Sequence, residues 1–348
     1  MKIAVYAISK NEEKHVKRFC DSAKDADLIV IADTGSEDKT VEIAKECGAQ
    51  VYEITVVPWR FDKARDTALA LVPRDVDVCV SMDLDEVLKP GWRDYVERIF
   101  GDGHTRLSFG FDAGNGLIFY PSRIHARMGY HWKYPCHEYI TPDPRMLDKV
   151  AHTNDVLMEH HPDPTKSRGS YLDLLQFGAK NDPSCYRMAY YLGREYTYHQ
   201  KWKEAITELQ RYLTLPNAIW SLERSHAMRM IGGATENLNE DGLKWFRLAC
   251  AEAPEIRENW YELAYSCYKH SVWAEGYAAA KTALGINNNL SQHTRNAAAW
   301  GYLPHDILAL CAYNLKLKDE AVKHGEIAVE MAPEIERLKT NLKFYKDL

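Results

Sequence analysis

Partway along this chain the spacing of its apolar residues changes, and that change limits the possible fold more than any other feature. Up to about residue 165, short apolar runs alternate with stretches at helical spacing; from about Cys185 the helical spacing continues to the end. In the first part, Lys2–Ile8, Asp27–Ala32, Gln50–Val57 and Val76–Met82 read as strands. Between them, Glu12–Ala23, Thr40–Cys47 and Phe61–Leu71 read as helices, with Gly48 and Pro73 placed to end the last two. Such alternation requires crossover connections, so it predicts a mostly parallel sheet with helices packed on it. The loops after Ile8, Ala32, Val57 and Met82 then gather beyond the C-terminal ends of the strands, where sheets of this kind bind ligands.

The second part reads as paired helices. Leu192-Gly193-x-x-Tyr196 and Trp260-x-x-Leu263-Ala264-x-x-Cys267 share one frame, 71 residues apart, about twice the ~34-residue period of the tetratricopeptide repeat. Second-helix starts recur at Trp202, Leu243, Trp273 and Asp319, and Pro216, Pro254 and Pro333 close three of the units. Small residues at fixed positions let paired helices approach, and proline stops each second helix. The expectation is an α/β domain over 1–165, then a linker helix and four degenerate helical repeats over 166–348, with an insertion near 287–303.

Composition removes several classes. A chain of 348 residues that is 46% apolar and 27% charged is neither disordered nor collagen-like nor a small disulfide scaffold. A net charge of −6 argues against tight nonspecific nucleic-acid binding, which needs a basic footprint. The eight cysteines form no C-x-x-C pair, so they read as reduced, buried apolar residues. The apolar run Ile3–Ile8 is too short for a signal peptide, and no run reaches a membrane span, so the expected location is the cytoplasm.

Four polar motifs follow the predicted strands. Asp83-Leu84-Asp85-Glu86 puts two carboxylates at i and i+2. In extended backbone these face one point, a geometry that suits Mg²⁺ or Mn²⁺ with diphosphate oxygens; a solvated acidic turn is the plain alternative. Asp33-Thr34-Gly35-Ser36-Glu37-Asp38-Lys39-Thr40 sets an aspartate at a strand tip, where it can accept from a base or ribose, ahead of a turn and helix cap. Ser9-Lys10-Asn11-Glu12-Glu13 reads equally as ligand loop or helix cap. Trp59-Arg60-Phe61 through Arg65-Asp66 puts aromatic rings and arginines where a phosphate would lie, surface ion pairing being the alternative.

In this order and spacing the motifs resemble family 2 glycosyltransferases of the GT-A fold, most closely a bacterial and phage branch with a C-terminal tetratricopeptide region. The likeness covers about residues 3–90: Ser9 to Glu13, Asp33 to Thr40, then Trp59, Phe61, Ala64, Arg65, Ala68 and Leu69, then Asp83 to Glu86. Asp66 stands where the pattern has asparagine, and Trp59 lies nearer Phe61 than usual. Further on, Cys136-His137-Glu138 and His160-His161-Pro162-Asp163 with Lys166 and Arg168 resemble two later elements of the branch.

The resemblance implies a soluble, metal-dependent, inverting enzyme that moves one sugar from a nucleotide diphosphate sugar, UDP-glucose by analogy. It implies donor contacts at Ser9, Asn11, Glu12, Asp33, Arg65 and Asp83, with Lys166 and Arg168 on the departing diphosphate. Mn²⁺ or Mg²⁺ would sit on Asp83, Asp85 and one of His160 and His161. Glu138 and Glu86 are the two candidate bases. The acceptor stays open among a glycan, a protein side chain and a modified nucleic-acid base. A protein partner at the helical repeats is also expected. Segment 104–160, rich in Tyr, Trp, His and Arg, is expected to supply an acceptor-side lobe. Two other classes compete. One is a binding scaffold with a degenerate transferase domain, which the intact acidic pair opposes. The other is a nucleotidyltransferase, which usually has a glycine-rich loop where this chain has Ser9-Lys10-Asn11-Glu12.

Overall fold

The computed structural model describes residues 1–114, 117–162, 171–288 and 294–348. The chain divides into two units, Met1–Gly178 and Ala179–Leu348.

The first unit opens with β1 (Ile3–Ser9), α1 (Val16–Ser22), β2 (Leu28–Asp33), α2 (Thr40–Glu46), β3 (Gln50–Glu53), α3 (Phe61–Leu71) and β4 (Val78–Ser81). There follow β5 (Glu86–Leu88), α4 (Trp92–Gly101), β6 (Arg106–Asp112), β7 (Ile118–Phe119), β8 (Ile124–Ala126), β9 (Tyr130–Lys133), β10 (Tyr139–Pro142) and β11 (Val150–His160). The strand order β3-β2-β1-β4 is parallel throughout, as the alternation predicts. The sheet continues as β8-β6-β11-β5, where only β6 and β11 pair in parallel. Within segment 104–160, β6, β7, β8 and β11 widen the same sheet, while β9 and β10 form a ribbon of their own.

Both faces of the central strands are covered, which is why β1 reads as an unbroken apolar run. Ile3, Val5 and Ala7 pack with Val16 and Phe19 of α1 and Trp92 and Val96 of α4. Ala4 and Tyr6 face the other way, onto Ala68 and Leu69 of α3 and Trp132 of β9. One close approach shapes the far side. A β-carbon on Gly110 would meet the Asp155 carbonyl oxygen at 2.8 Å, where the β6–β11 register shifts. Only glycine lets the two backbones approach there.

A long helix, α5 (Tyr171–Asn181), spans the division between the units. The second unit holds α6 (Tyr186–Tyr198), α7 (Trp202–Thr214), α8 (Ser221–Asn237), α9 (Leu243–Glu252), α10 (Arg257–Lys269), α11 (Trp273–Gly285), α12 (Leu303–Asn314), α13 (Lys318–Met331) and α14 (Glu336–Lys346). Successive helices pack in pairs, and the second helix of four pairs starts at Trp202, Leu243, Trp273 and Lys318. A short 3₁₀ turn, Ala297–Trp300, lies in the interval between α11 and α12. No helix among the described residues is long and apolar enough to cross a membrane. All eight cysteines are free thiols.

Two predictions follow from packing. A methyl on Gly193 would sit 2.5 Å from side-chain carbons of Leu209. Gly193→Ala should therefore lower stability by about 1–3 kcal/mol through overpacking, read by urea unfolding. His125 is fully buried between β4 and β6, and burial pushes its pKa down from 6.5 to about 4. The unfolded chain takes up that proton more readily. This contribution is complete above pH 6.5 and is lost as pH falls toward about 4. His125→Gln, which keeps a hydrogen-bonding side chain without a titrating ring, should make the fall in Tm on acidification shallower.

Candidate active site

Register alone assembles the first edge of the site. Ser9 and Asp33 are the last partners of the β1–β2 ladder. The Ser9 hydroxyl donates to Asp33 Oδ1 at 2.7 Å, and so does the Ser36 hydroxyl. The N–H groups of Gly35 and Ser36 donate to Asp33 Oδ2 at 3.0 and 2.8 Å. Burial alone would raise this carboxyl, but the Ser36, Ser9 and Gly35 bonds hold it below its ordinary range. A carboxylate has about four acceptor positions, and the turn fills them. Asp33 thus organises its own turn.

The loop after β1 is tied to that turn at every step. Asn11, at φ 56°, donates its N–H to Ser36 Oγ and accepts from the Glu37 N–H. The N–H of Glu12 donates to Thr40 Oγ1, and that of Glu13 to Asp38. Asn11 therefore does not cap α1, which starts later, at Val16. The two loops form one preset rim, with Gly35 in the left-handed region that a tight turn needs.

The acidic motif behaves differently from the extended reading. Leu84 and Asp85 lie in a turn, with Leu84 buried beneath it, and the two aspartates take different partners. Asp83 Oδ1 accepts from Arg65 Nη2 at 2.7 Å, and Asp83 Oδ2 lies 3.7 Å from Arg123 Nη1. Burial opposes its charge, but the two guanidinium groups outweigh burial and hold the carboxyl below its ordinary range. Asp85 turns instead to His160, 3.4 Å away. That hydrogen bond raises the His160 pKa above its ordinary value. The β5–β11 ladder makes this meeting, because His160 pairs with Glu86. His161 gives Asp85 only a backbone N–H, and its ring lies near Glu159.

The two candidate bases also part. Glu86 is 3% exposed; one oxygen accepts the Asp83 N–H and the other accepts Arg123 Nη2 at 2.7 Å. Burial, reinforced by the Asp83 charge, pushes its pKa up to about 6. With both oxygens engaged inside the protein, Glu86 shapes the turn. Glu138 lies just before β10, its side chain 11% exposed, and Oε1 accepts from Arg65 Nε at 2.6 Å. Arg65 thereby bridges Asp83 and Glu138, while its buried Nη1 has no partner among the described residues.

Arg123, which the sequence offers only as part of the Arg-rich segment 104–160, joins the acidic turn at Asp83 and Glu86. It stands just before β8, packs on the Phe111 ring at 5.2 Å, and Phe111 also touches His160. No local pattern marks it, because β8 meets β4 only through the antiparallel insertion. Asp163, Lys166 and Arg168 lie outside the described residues.

Among the described residues no three His, Cys, Asp or Glu side chains converge as a metal cluster. Asp85 and His160 still offer one carboxylate and one imidazole side by side. A Mg²⁺-type ion commonly takes one or two protein ligands and fills the rest with water and phosphate oxygens, so the pair fits such an ion. Asp83 fits it less well, being held by two arginines.

Arg123→Met should leave the Glu86 carboxylate buried without its ion pair and lower stability by about 3–5 kcal/mol in denaturant unfolding. Asp85→Asn, which removes only a contact to His160, should cost less than about 1 kcal/mol.

Comparison with known proteins agrees with this geometry. Residues 5–135 match the family described as Glycosyl transferase family 2. An uncharacterized glycosyltransferase of Rickettsia bellii is 34% identical over 100 residues, covering 28% of this chain and 33% of that protein. Its counterpart in Rickettsia typhi is 35% identical over 101 residues, again covering 28% and 33%. The chain thus spans about a third of the length of the curated relatives it matches. Among solved structures, glucosyl-3-phosphoglycerate synthase from Mycobacterium tuberculosis, in complex with Mn²⁺, UDP-glucose and phosphoglyceric acid, matches with 19% identity and a TM-score of 0.38. That match covers 50% of this chain and 79% of that one. MamA matches with 18% identity and a TM-score of 0.39, covering 47% and 87%. Residues 5–135 thus carry the match to Glycosyl transferase family 2, over the stretch that holds the parallel strand order and the loops at its C-terminal edge.

Proposed function

We propose that this chain is a metal-dependent glycosyltransferase that moves a single sugar from a nucleotide diphosphate sugar, with UDP-glucose the first donor to test. One observation carries the reading most. At the C-terminal edge of the parallel strands, a carboxylate–imidazole pair, Asp85 and His160, lies beside Asp83, which Arg65 links to Glu138.

Leaving of the diphosphate creates an oxocarbenium-like sugar and a growing negative charge. A divalent ion, when bound at Asp85 and His160, supplies countercharge to that leaving group. The chain's own residues do the rest. The rim of 9–13 and 33–40 is fixed by its internal bonds, so the nucleotide meets a shaped surface without reordering it. Arg65 and Arg123 hold Asp83 ionised toward the donor side. Glu138 takes the proton of the incoming hydroxyl at a carboxylate oxygen, and displacement from the opposite side inverts the anomeric centre. Lys166 and Arg168 are proposed to meet the departing diphosphate. The helix pairs after Ala179 are proposed to be tetratricopeptide repeats that dock the acceptor or its carrier.

The test is thermal unfolding of the full chain with UDP and Mn²⁺, followed by hydrolysis of UDP-glucose. At a nucleotide concentration of 100 Kd, stability should rise by about 2.7 kcal/mol. Asp85→Ala and His160→Ala should lose the Mn²⁺-dependent part of that rise. Glu138→Gln should keep the binding shift and lose about 10²–10⁴-fold in hydrolysis, the usual worth of a general base. No shift with any nucleotide would overturn the transferase reading and favour a binding scaffold.

A further inference from the structure

We infer that Trp132 is a positioning residue that acts through Arg65, setting the guanidinium plane that spans Asp83 and Glu138. The inference rests on the transferase reading for its kinetic arm alone.

Trp132 is 3% exposed and lies in β9, far in sequence from the acidic turn. Its backbone N–H donates to Asp66 Oδ1 at 2.7 Å, and its indole N–H donates to the Tyr6 hydroxyl at 2.9 Å. The Tyr6 oxygen therefore accepts from the indole, which leaves the Tyr6 O–H to donate to His125 Nε2, 3.0 Å away. His125 in turn donates from Nδ1 to the Ala126 carbonyl oxygen, 2.9 Å away. This chain of bonds requires a neutral His125 of one tautomer, and the burial-depressed pKa of the ring agrees with it. The indole is thus fixed along its edge and its backbone by partners on β1, α3 and β8.

The Arg65 guanidinium lies over that fixed ring, its central carbon 4.9 Å from the ring centroid. From this seat Nε reaches Glu138 at 2.6 Å and Nη2 reaches Asp83 at 2.7 Å. A guanidinium is flat and its donors form a rigid fork, so tilting the plane moves both carboxylates. The two carboxylates come from a turn after β4 and a loop before β10. Among the described residues their shared side-chain partner is Arg65, and the surface that sets its plane is the indole. Asp66 has its own part here. It occupies the position where the resembling family has asparagine, and it accepts the Trp132 backbone N–H with its carboxylate.

The test compares Trp132→Phe, which keeps an aromatic face, with Trp132→Met, which fills the space without one, in full-length protein with UDP-glucose and Mn²⁺. Trp132→Met should lose about tenfold or more in kcat for donor hydrolysis, because small misplacements of reacting groups are costly. Trp132→Phe should stay within about threefold of wild type, since the cation–π face survives. In an Arg65→Met background, adding Trp132→Met should change kcat by less than about threefold, because a residue acting through Arg65 has nothing left to position. An equal loss in Trp132→Phe and Trp132→Met, or an undiminished loss in the Arg65→Met background, would overturn the inference.

NMR of the Arg65 side chain gives a readout independent of turnover. Its protons should be shifted upfield by the indole and less so in Trp132→Phe. This comparison decides the matter where Trp132→Met fails to unfold cooperatively; an unchanged Arg65 shift in Trp132→Phe would overturn the stacking. A wild-type chain that binds no nucleotide but shows the Arg65 shift would sink the transferase reading while sustaining the Trp132–Arg65 coupling.

Discussion

A buried arginine between two carboxylates is the interaction on which the rest of the site depends. Arg65 is 6% exposed, and burial alone would lower its pKa; the Asp83 and Glu138 charges outweigh that and raise it above the ordinary arginine value. Its burial follows from the helix that carries it. Arg65, Ala68 and Leu69 stand at i, i+3 and i+4 on α3, so they share one face. Ala68 and Leu69 pack with Ala4, Tyr6 and Trp132. Packing the apolar part of this face against the sheet necessarily drives Arg65 inward. A charge placed there must be paired, since an unpaired buried charge would cost several kcal/mol. The hydrophobic core thus imposes the ion bridge, and the ion bridge brings a β4 turn and a β10 loop to one place.

How much of this was legible in the sequence depended on range. The parallel half, with its four strands and three helices, follows from local periodicity. α3 even begins at Phe61 and ends at Leu71 as the spacing predicts. The starts of α7, α9 and α11 were equally readable, because each pair repeats a local rule of small residues and prolines. The acidic motif was found for its chemistry but misjudged in its geometry. An i, i+2 pair faces one way only in extended backbone, whereas Leu84 and Asp85 lie in a turn and the two aspartates take different partners. Asp33 shows a different limit of local pattern. A strand-tip aspartate looks free in a sequence, whereas its partners Ser9 and Ser36 come from two loops.

What the sequence could not disclose is long-range pairing on the far side of the sheet. β8 lies between β4 and β6, and that insertion alone brings Arg123 beside Glu86 and His125 beside Tyr6. β11 pairs with β5, which brings His160 to Asp85. The short strands Ile124–Ala126 and Glu86–Leu88 are three residues each and carry almost no periodic signal. Their places are fixed by contacts that only exist once the parallel half has formed. The aromatic-rich stretch 104–160 therefore supplies strands to the main sheet that its composition does not announce.

The same contacts explain why two carboxyl groups of one turn diverge in acidity. Asp83 faces two guanidinium groups, and its charge is favoured. Glu86, three residues on, is more deeply enclosed, feels the Asp83 charge, and shares only Arg123 with it. The charge balance of the site follows. Arg65 and Arg123 stand against Asp83, Asp85, Glu86 and Glu138, so the described carboxylates outnumber the guanidinium groups. Both arginines are already spent on those carboxylates. Among these described side chains, negative charge is therefore in excess at this edge. Asp85 is the carboxylate of the set that neither arginine holds, and His160 stands beside it. How the fold distributes its own charges thus leaves Asp85 and His160 as the acidic and basic pair outside the arginine bridges.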